Sequence, residues 1–215
     1  MTRKKTAILI SGRGSNMNAL ISAAMDPAYP AEIALVLSNK PDAKGLEKAA
    51  ELGIPTAVVD HKVFPNDKQG FEQAVDYHLK DHTIELVALA GFMRILSSFL
   101  VNAWAGRMIN IHPSLLPSFK GLGTHERALV EGVKLHGATV HFVSAEMDDG
   151  PIIIQGAVPV LDQDTPDDLG ARVLEVEHKI YPKALELVAS GKAKISGARV
   201  LTGSHADTDS RLIWN

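Results

Sequence analysis

The sequence predicts an α/β fold, a doubly wound, mostly parallel sheet with helices on both faces. Three observations carry this. Short aliphatic and β-branched runs alternate with stretches of helical apolar spacing from Thr6 onward. A glycine turn, Ser11-Gly12-Arg13-Gly14-Ser15-Asn16, joins the first run to the first helical stretch. The alternation changes only late, where Ala138 to Val143 and Ile152 to Val160 are joined by Glu146-Met147-Asp148-Asp149-Gly150-Pro151. That hairpin-like turn predicts an antiparallel strand near the C-terminal edge.

Thr6 to Ile10 is the first strand, and Met17, Leu20, Ile21 and Ala24 then recur at helical spacing. Glu32 to Ser38 is a second strand. Ala43 to Leu52 is a helix, stopped by Gly53 with Pro55 beyond it. Thr56 to Val59 is a third strand. Phe71, Val75 and Leu79 space a helix from Lys68 to His82, and Glu85 to Ala90 is a fourth strand ending at Gly91. A short helix, Ser97 to Trp104, precedes the central buried strand, Arg107 to Ile111. Pro113 and Pro117 stop that strand and stiffen its exit. Thr124 to Glu131 is helical, with Thr124 the candidate cap. Thr165 caps a long helix running to Ala189; Pro166 sits at its first position, and Asp167 and Asp168 complement its dipole. Lys194 to Leu201 forms a small hairpin around Ser196-Gly197, and the stretch from Gly203 to Ser210 is a polar tail.

Composition bounds the function. The 215 residues suit one domain or two tightly joined halves, and 46% hydrophobic content supports a sizeable core. A net charge of −3, from 22 basic and 25 acidic residues, leaves no electrostatic footprint for nucleic acid or an anionic membrane. Without cysteine there is no disulfide, thiolate nucleophile or Cys-ligated zinc, which suits a reducing cytoplasm. The apolar run after Lys5 is broken by Ser11-Gly12-Arg13, too early for a signal peptide, and no run reaches transmembrane length.

Several motifs can carry chemistry. In the glycine turn, backbone amides and a helix N-terminus can cradle an anion. Met17 stands where a dinucleotide fingerprint has its third glycine, and no Gly-Lys-Ser/Thr follows, so a monophosphate fits better than a pyrophosphate. The bland alternative is an ordinary strand-to-helix connection. Asn110 and His112 lie two apart on the central strand and so project to the same side at a strand end, where open α/β sheets bind ligands. An amide beside an imidazole can hold an oxyanion and move a proton; equally, the two can be core polar residues bonded to backbone. A carboxylate from Asp148 or Asp149 near His112 would orient its ring, or both acids simply shape an exposed turn. His78 and His82 lie i, i+4 on a helix without an evident third metal ligand. His125-Glu126 begins like a zincin motif, but Leu129 ends that reading, and Ser15 lacks the flanking glycines of a hydrolase elbow.

Taken together, Ser11-Gly12-x-Gly14-Ser15-Asn16, Leu89 to Leu96, Asn110-Ile111-His112-Pro113-Ser114-Leu115-Leu116-Pro117 and Asp148-x-Gly150-Pro151 resemble the phosphoribosylglycinamide formyltransferases in content and order, from about residue 6 to 190. The resemblance implies a Rossmann-like sheet. It also implies transfer of a formyl group from 10-formyltetrahydrofolate, the co-substrate, to the amino group of glycinamide ribonucleotide in purine synthesis, with no metal. It implies that Gly14, Ser15 and Asn16 bind the phosphate and that Glu177 contacts the ribonucleotide. Met93, Arg94, Ile95 and Leu96 then line the folate site with Asn110, while Ser144, Ala145, Glu146 and Met147 border the pterin and Lys68 stands near the folate tail. Asn110, His112 and Asp148 are the implied catalytic residues. The partners implied are these two small molecules, with neither nucleic acid nor membrane, and a homodimer is left open.

By the same resemblance, residues 1–215 form one formyltransferase domain. Its N-terminal half, to about residue 102, binds phosphate; its catalytic and folate half runs from about 103 to 190; the tail is 191–215. Two departures stand out. Gly123 replaces a histidine that some members carry, and Asp149 replaces a glycine and adds negative charge beside the site. Formyltetrahydrofolate deformylases share the scaffold but add an N-terminal regulatory domain, and methionyl-tRNA formyltransferases add a C-terminal RNA-binding domain. Here the first strand comes almost at once, and only a short polar stretch follows about residue 190. A non-catalytic nucleotide-binding module has no need of an imidazole at that strand end.

Overall fold

The computed structural model describes residues 2–203. Seven strands form one sheet in the order β3-β2-β1-β4-β5-β6-β7. These are β1 (Lys4–Ile10), β2 (Ala31–Ser38), β3 (Thr56–Val58), β4 (Leu86–Leu89), β5 (Met108–His112), β6 (Leu135–Phe142) and β7 (Ile152–Pro159). The helices are α1 (Ser15–Ala24), α2 (Lys44–Glu51), α3 (Lys68–Asp81), α4 (Ser98–Ala103), α5 (Thr124–Val130) and α6 (Pro166–Ala189). β8 (Lys194–Ser196) and β9 (Arg199–Leu201) make the expected hairpin, apart from the main sheet. The tail beyond Gly203 lies outside the described residues.

The period-2 pattern of the strands divides the core in two. On β1, Ile8 and Ile10 join Met17, Leu20, Val173 and Tyr181 on one face, under α1 and α6. Ala7 and Leu9 join Phe71, Val75, Leu79 and Trp104 on the other, under α3 and α4. All strands but one run parallel; β6 is antiparallel to both β5 and β7, one place in from the edge. The doubly wound α/β expectation and its antiparallel strand are therefore met.

Several local expectations shift. β5 extends to His112, so the imidazole leaves from within the strand. α5 is capped by Gly123, in the left-handed region at φ 64°, and Thr124 is its first, buried residue rather than its cap. A 3-10 turn at His61–Val63, with Asp60 accepting from the Lys62 amide, was not foreseen. The β6–β7 connection is a long loop rather than a tight turn, with Asp148 left-handed at φ 53°.

The Pro-rich exit after β5 is held by more than its prolines. Thr139, fully buried on β6, donates from Oγ1 to the Ser114 carbonyl at 2.7 Å and accepts from the Leu116 amide at 3.0 Å. Gln155 on β7 donates from Nε2 to the Leu116 carbonyl at 2.8 Å, and the Leu116–Pro117 bond is cis. Thr139→Val keeps the shape and the strand propensity but orphans a buried N–H and weakens the hold on the Ser114 carbonyl. It should cost about 2 kcal/mol in urea unfolding. A loss below ~0.5 kcal/mol would show that the exit holds itself.

Candidate active site

Because β1, β4 and β5 are parallel, their C-terminal ends share one edge of the sheet. A cleft of about 1010 Å³ opens there. Met93, Arg94, Ile95 and Leu96 form one wall, Ser144, Ala145, Glu146 and Met147 another, and Asn110, His112 and Asp148 lie between them. Met93 is 64% exposed and Ile95 72%, an apolar surface turned to solvent inside a concave site. Such a surface is what a ligand usually covers.

The Met93 to Leu96 wall has no regular structure of its own and is pinned at both ends. The Met93 amide donates to Ser11 Oγ at 2.8 Å. At the other end, the fully buried Glu72 accepts from the Ser97 amide at 2.6 Å and from its hydroxyl. Ser11 opens the glycine turn, so the turn and the wall share a residue. Neither Ser11 nor Glu72 was singled out in these roles, since the contacts span 82 and 25 residues.

His112 is buried, and both ring nitrogens face partners. Nδ1 stands 3.5 Å from Asp148 Oδ2, an ion pair when the ring is protonated. Nε2 lies 3.0 Å from the Phe119 carbonyl; a carbonyl can only accept, so Nε2 carries a proton and donates. The residues supplying those contacts, Phe119 at φ 55° and Asp148 at φ 53°, are both non-glycine residues with left-handed backbones. Such conformations persist only where surrounding contacts enforce them, and they cluster at functional sites. Asp148 Oδ2 also accepts from the Gly121 amide at 2.9 Å, and Lys120 pairs with Asp149. The extra negative charge of Asp149 is thus met by a lysine on the 118–123 loop. Two loops far apart in sequence close over one imidazole.

Asn110 faces His141, its partner across the β5–β6 pair, with Nδ2 to Nε2 at 3.2 Å. His125 also lines the cleft, 3.2 Å through Nδ1 from Nε2 of the buried His136. Burial pushes His136 down to about 4, so it is neutral at pH 7. Among the described residues no group of three or more His, Asp or Glu could hold a metal ion.

The glycine turn lies beside the cleft rather than in its walls. Gly14 caps α1 in the left-handed region at φ 73°, where a Cβ would come within 3.0 Å of Met17 Cε. No side chain caps α1, and Ser15 is exposed on its first turn, so the first-turn amides are left uncapped by any side chain. The Asn16 side chain turns inward instead: Nδ2 donates to Glu177 Oε2 at 2.5 Å, leaving Oδ1 buried without a partner. Burial raises the Glu177 carboxyl, partly offset by that bond. Behind it, the buried Tyr181 hydroxyl donates to the Leu89 carbonyl at 2.9 Å. Lys68 is the one proposed binding residue that the structure brings to neither the cleft nor the turn. It starts α3, one helical turn before Phe71, whose ring lies 5.7 Å from the Arg94 guanidinium carbon.

The formyl transferase family model matches residues 4–185. This chain belongs to the formyl transferase family. A phosphoribosylglycinamide formyltransferase from Escherichia coli is 44% identical over 188 residues, covering 87% of this chain and 88% of its own. The trifunctional purine biosynthetic protein adenosine-3 of Gallus gallus is 52% identical over 194 residues, 90% of this chain. This formyl transferase spans about a fifth of that larger relative, 19% of its length. The crystal structure of glycinamide ribonucleotide transformylase 1 from Symbiobacterium toebii superposes with a TM-score of 0.89 at 43% identity, covering 93% of each chain. No helix among the described residues of this formyl transferase is long and apolar enough to cross a membrane.

Proposed function

We propose that this protein transfers the formyl group of 10-formyltetrahydrofolate to the amino group of glycinamide ribonucleotide, as a cytoplasmic enzyme of de novo purine biosynthesis. The observation that carries this reading is the meeting of Asn110, His112 and Asp148 in a cleft whose apolar wall is tied through Ser11 to a phosphate-type turn. The apolar Met93 to Leu96 wall and the Ser144 to Met147 loop suit a flat folate ring. The first-turn amides at Gly14, Ser15 and Asn16 suit the ribonucleotide phosphate, with Glu177 beside them.

The substrate amine, as free base, attacks the formyl carbon and the carbonyl oxygen becomes an oxyanion. Asn110 Nδ2 and the His112 ring donate to that oxygen. His112 Nε2 rests on the Phe119 carbonyl, so the oxyanion takes over a donor that the loop has been holding. In the protonated ring Nδ1–H faces the Asp148 carboxylate, which keeps the ring aligned. The proton that the attacking amine gives up is delivered to folate N10, and the oxyanion re-forms the carbonyl as the bond from the formyl carbon to N10 breaks, so that no net proton is gained or lost. No covalent enzyme intermediate forms, and holding amine and formyl carbon together supplies much of the acceleration.

Following the loss of formyl-folate with and without the ribonucleotide tests the reading. Turnover that needs the ribonucleotide supports it. Turnover without it would make the protein a hydrolase, and none at all would make it a binding module. Ser15→Asp tests the phosphate turn separately. An aspartate fits the first turn of α1, so the fold should stand. Its charge opposes the phosphate and should raise the KM for the ribonucleotide by ~10-fold or more, with the folate KM nearly unchanged. A change confined to the folate KM would remove the turn from this role.

A further inference from the structure

Three polar groups in a row cross the sheet where β5 meets β6. The Asn110 amide meets the His141 ring, and that ring meets its own strand's backbone. His141 Nδ1 lies 2.9 Å from the Phe142 carbonyl oxygen. His141 Nε2 lies 3.2 Å from Asn110 Nδ2. The register makes Asn110 and His141 a directly opposed pair, so the two side chains stand on the same face of the sheet.

The chemistry of these atoms leaves one arrangement. A carbonyl oxygen only accepts, so Nδ1 must carry the proton. In a neutral ring Nε2 is then an acceptor, and the atom facing it must donate. That atom is the amide nitrogen of Asn110, which therefore points one hydrogen at His141 and keeps its second for the cleft. The opposite tautomer would set a bare Nδ1 against the Phe142 carbonyl and turn the Asn110 oxygen toward a ring N–H. A charged ring would demand the same reversal, since it has two donors. The surroundings oppose charge: His141 is buried at 2% exposure, and burial, the largest influence, lowers its proton affinity. The Asp148 and Asp149 carboxylates act the other way more weakly.

The backbone closes this corner. A Cβ on Gly150 would come within 1.7 Å of the Phe142 oxygen and 3.3 Å of His141 Nδ1, so the β6–β7 loop lies directly against the ring. Only glycine permits that approach. The same loop carries Asp148 to His112, so one segment seals His141 and orients His112.

We infer that His141 is the positioning residue of the active site: as a neutral ring protonated on Nδ1, it accepts from Asn110 Nδ2 and fixes which end of the Asn110 amide faces the reacting oxygen. This rests on the reading that Asn110 donates to the oxyanion. An asparagine free to flip would present its oxygen to that anion part of the time, repelling it. His141 removes the flipped state without touching substrate.

Two substitutions separate this from a packing role. Glutamine can place an acceptor oxygen where Nε2 stands, whereas asparagine reaches only the Nδ1 position. His141→Gln should keep kcat within ~3-fold of the parent, and His141→Asn should lose ~10-fold or more in kcat, with both KM values changed less than ~3-fold. Thermal melts check that both variants are folded. The ¹⁵N spectrum of the parent protein, with the His141 signals identified by their absence in His141→Gln, should show a protonated Nδ1 and a bare Nε2 at pH 7. A protonated Nε2 would overturn the inference whatever the kinetics. So would a folded His141→Asn that turns over normally, or a folded His141→Gln no better than His141→Asn. Because the tautomer is read without substrate, its failure is distinct from failure of the transfer reaction, which the parent enzyme's assay reports alone.

Discussion

Replacing His112 with alanine is expected to lower turnover at least ~10²-fold while the protein stays folded, the usual scale for removing one donor to a developing oxyanion. The ring's bonds are to Phe119 and Asp148, both in loops, so its loss should loosen the loops more than the sheet. Chemistry should suffer most, because no other donor takes the place of Nε2 at the reacting oxygen. His125 lines the same cleft, but its Nδ1 is already engaged with His136, and burial lowers its own proton affinity. Single-turnover formyl transfer by the purified variant, beside a thermal melt, decides the matter. Turnover within ~3-fold of the parent would take His112 out of the mechanism.

Asn110→Ala should cost ~10² to 10³-fold in kcat, the measured range for deleting one oxyanion donor in a water-excluded site. Both KM values should move far less, since the donor matters most once charge has developed on the oxygen. The alanine also leaves His141 Nε2 without its donor, a smaller cost that should appear in stability rather than turnover. Asn110→Asp sharpens the test. A carboxylate cannot donate and carries the charge that the oxyanion carries, so it should be at least as slow as the alanine. If the aspartate variant were faster, donation by Asn110 would not be its contribution.

Much of the fold was legible because its determinants are local. The two faces of β1 follow from alternate residues, and Thr165, Pro166 and Asp168 announce the start of α6, where a reciprocal capping box forms. The start of α5 at Thr124 was legible but its cap was not, because a left-handed Gly123 caps where Thr124 looked the better candidate. Asn110 and His112 were recognisable as a pair from their spacing on one strand. Asp148 and Asp149 were both candidates to orient His112 and the resemblance favoured Asp148, but only the fold of the 143–151 loop back on His112 brings its carboxylate there. The inward turn of the Asn16 side chain to Glu177, 161 residues away, was not legible from its place in the glycine turn. Lys68 was placed by the least regular stretch of the resemblance, and the structure does not bring it to the cleft.

By itself, then, the sequence determined the strand and helix pattern, the glycine turn and the polar pair at the end of β5. All of these are written in neighbours a few residues apart, through side-chain period, backbone freedom and capping. The tertiary structure decided the partners of that pair. His141 lies 31 residues from Asn110 and Asp148 lies 36 from His112. Whether such groups meet depends on the antiparallel register of β5 and β6 and on where a long loop comes to rest. Those are settled by sheet pairing and packing across the molecule, and no local pattern encodes them.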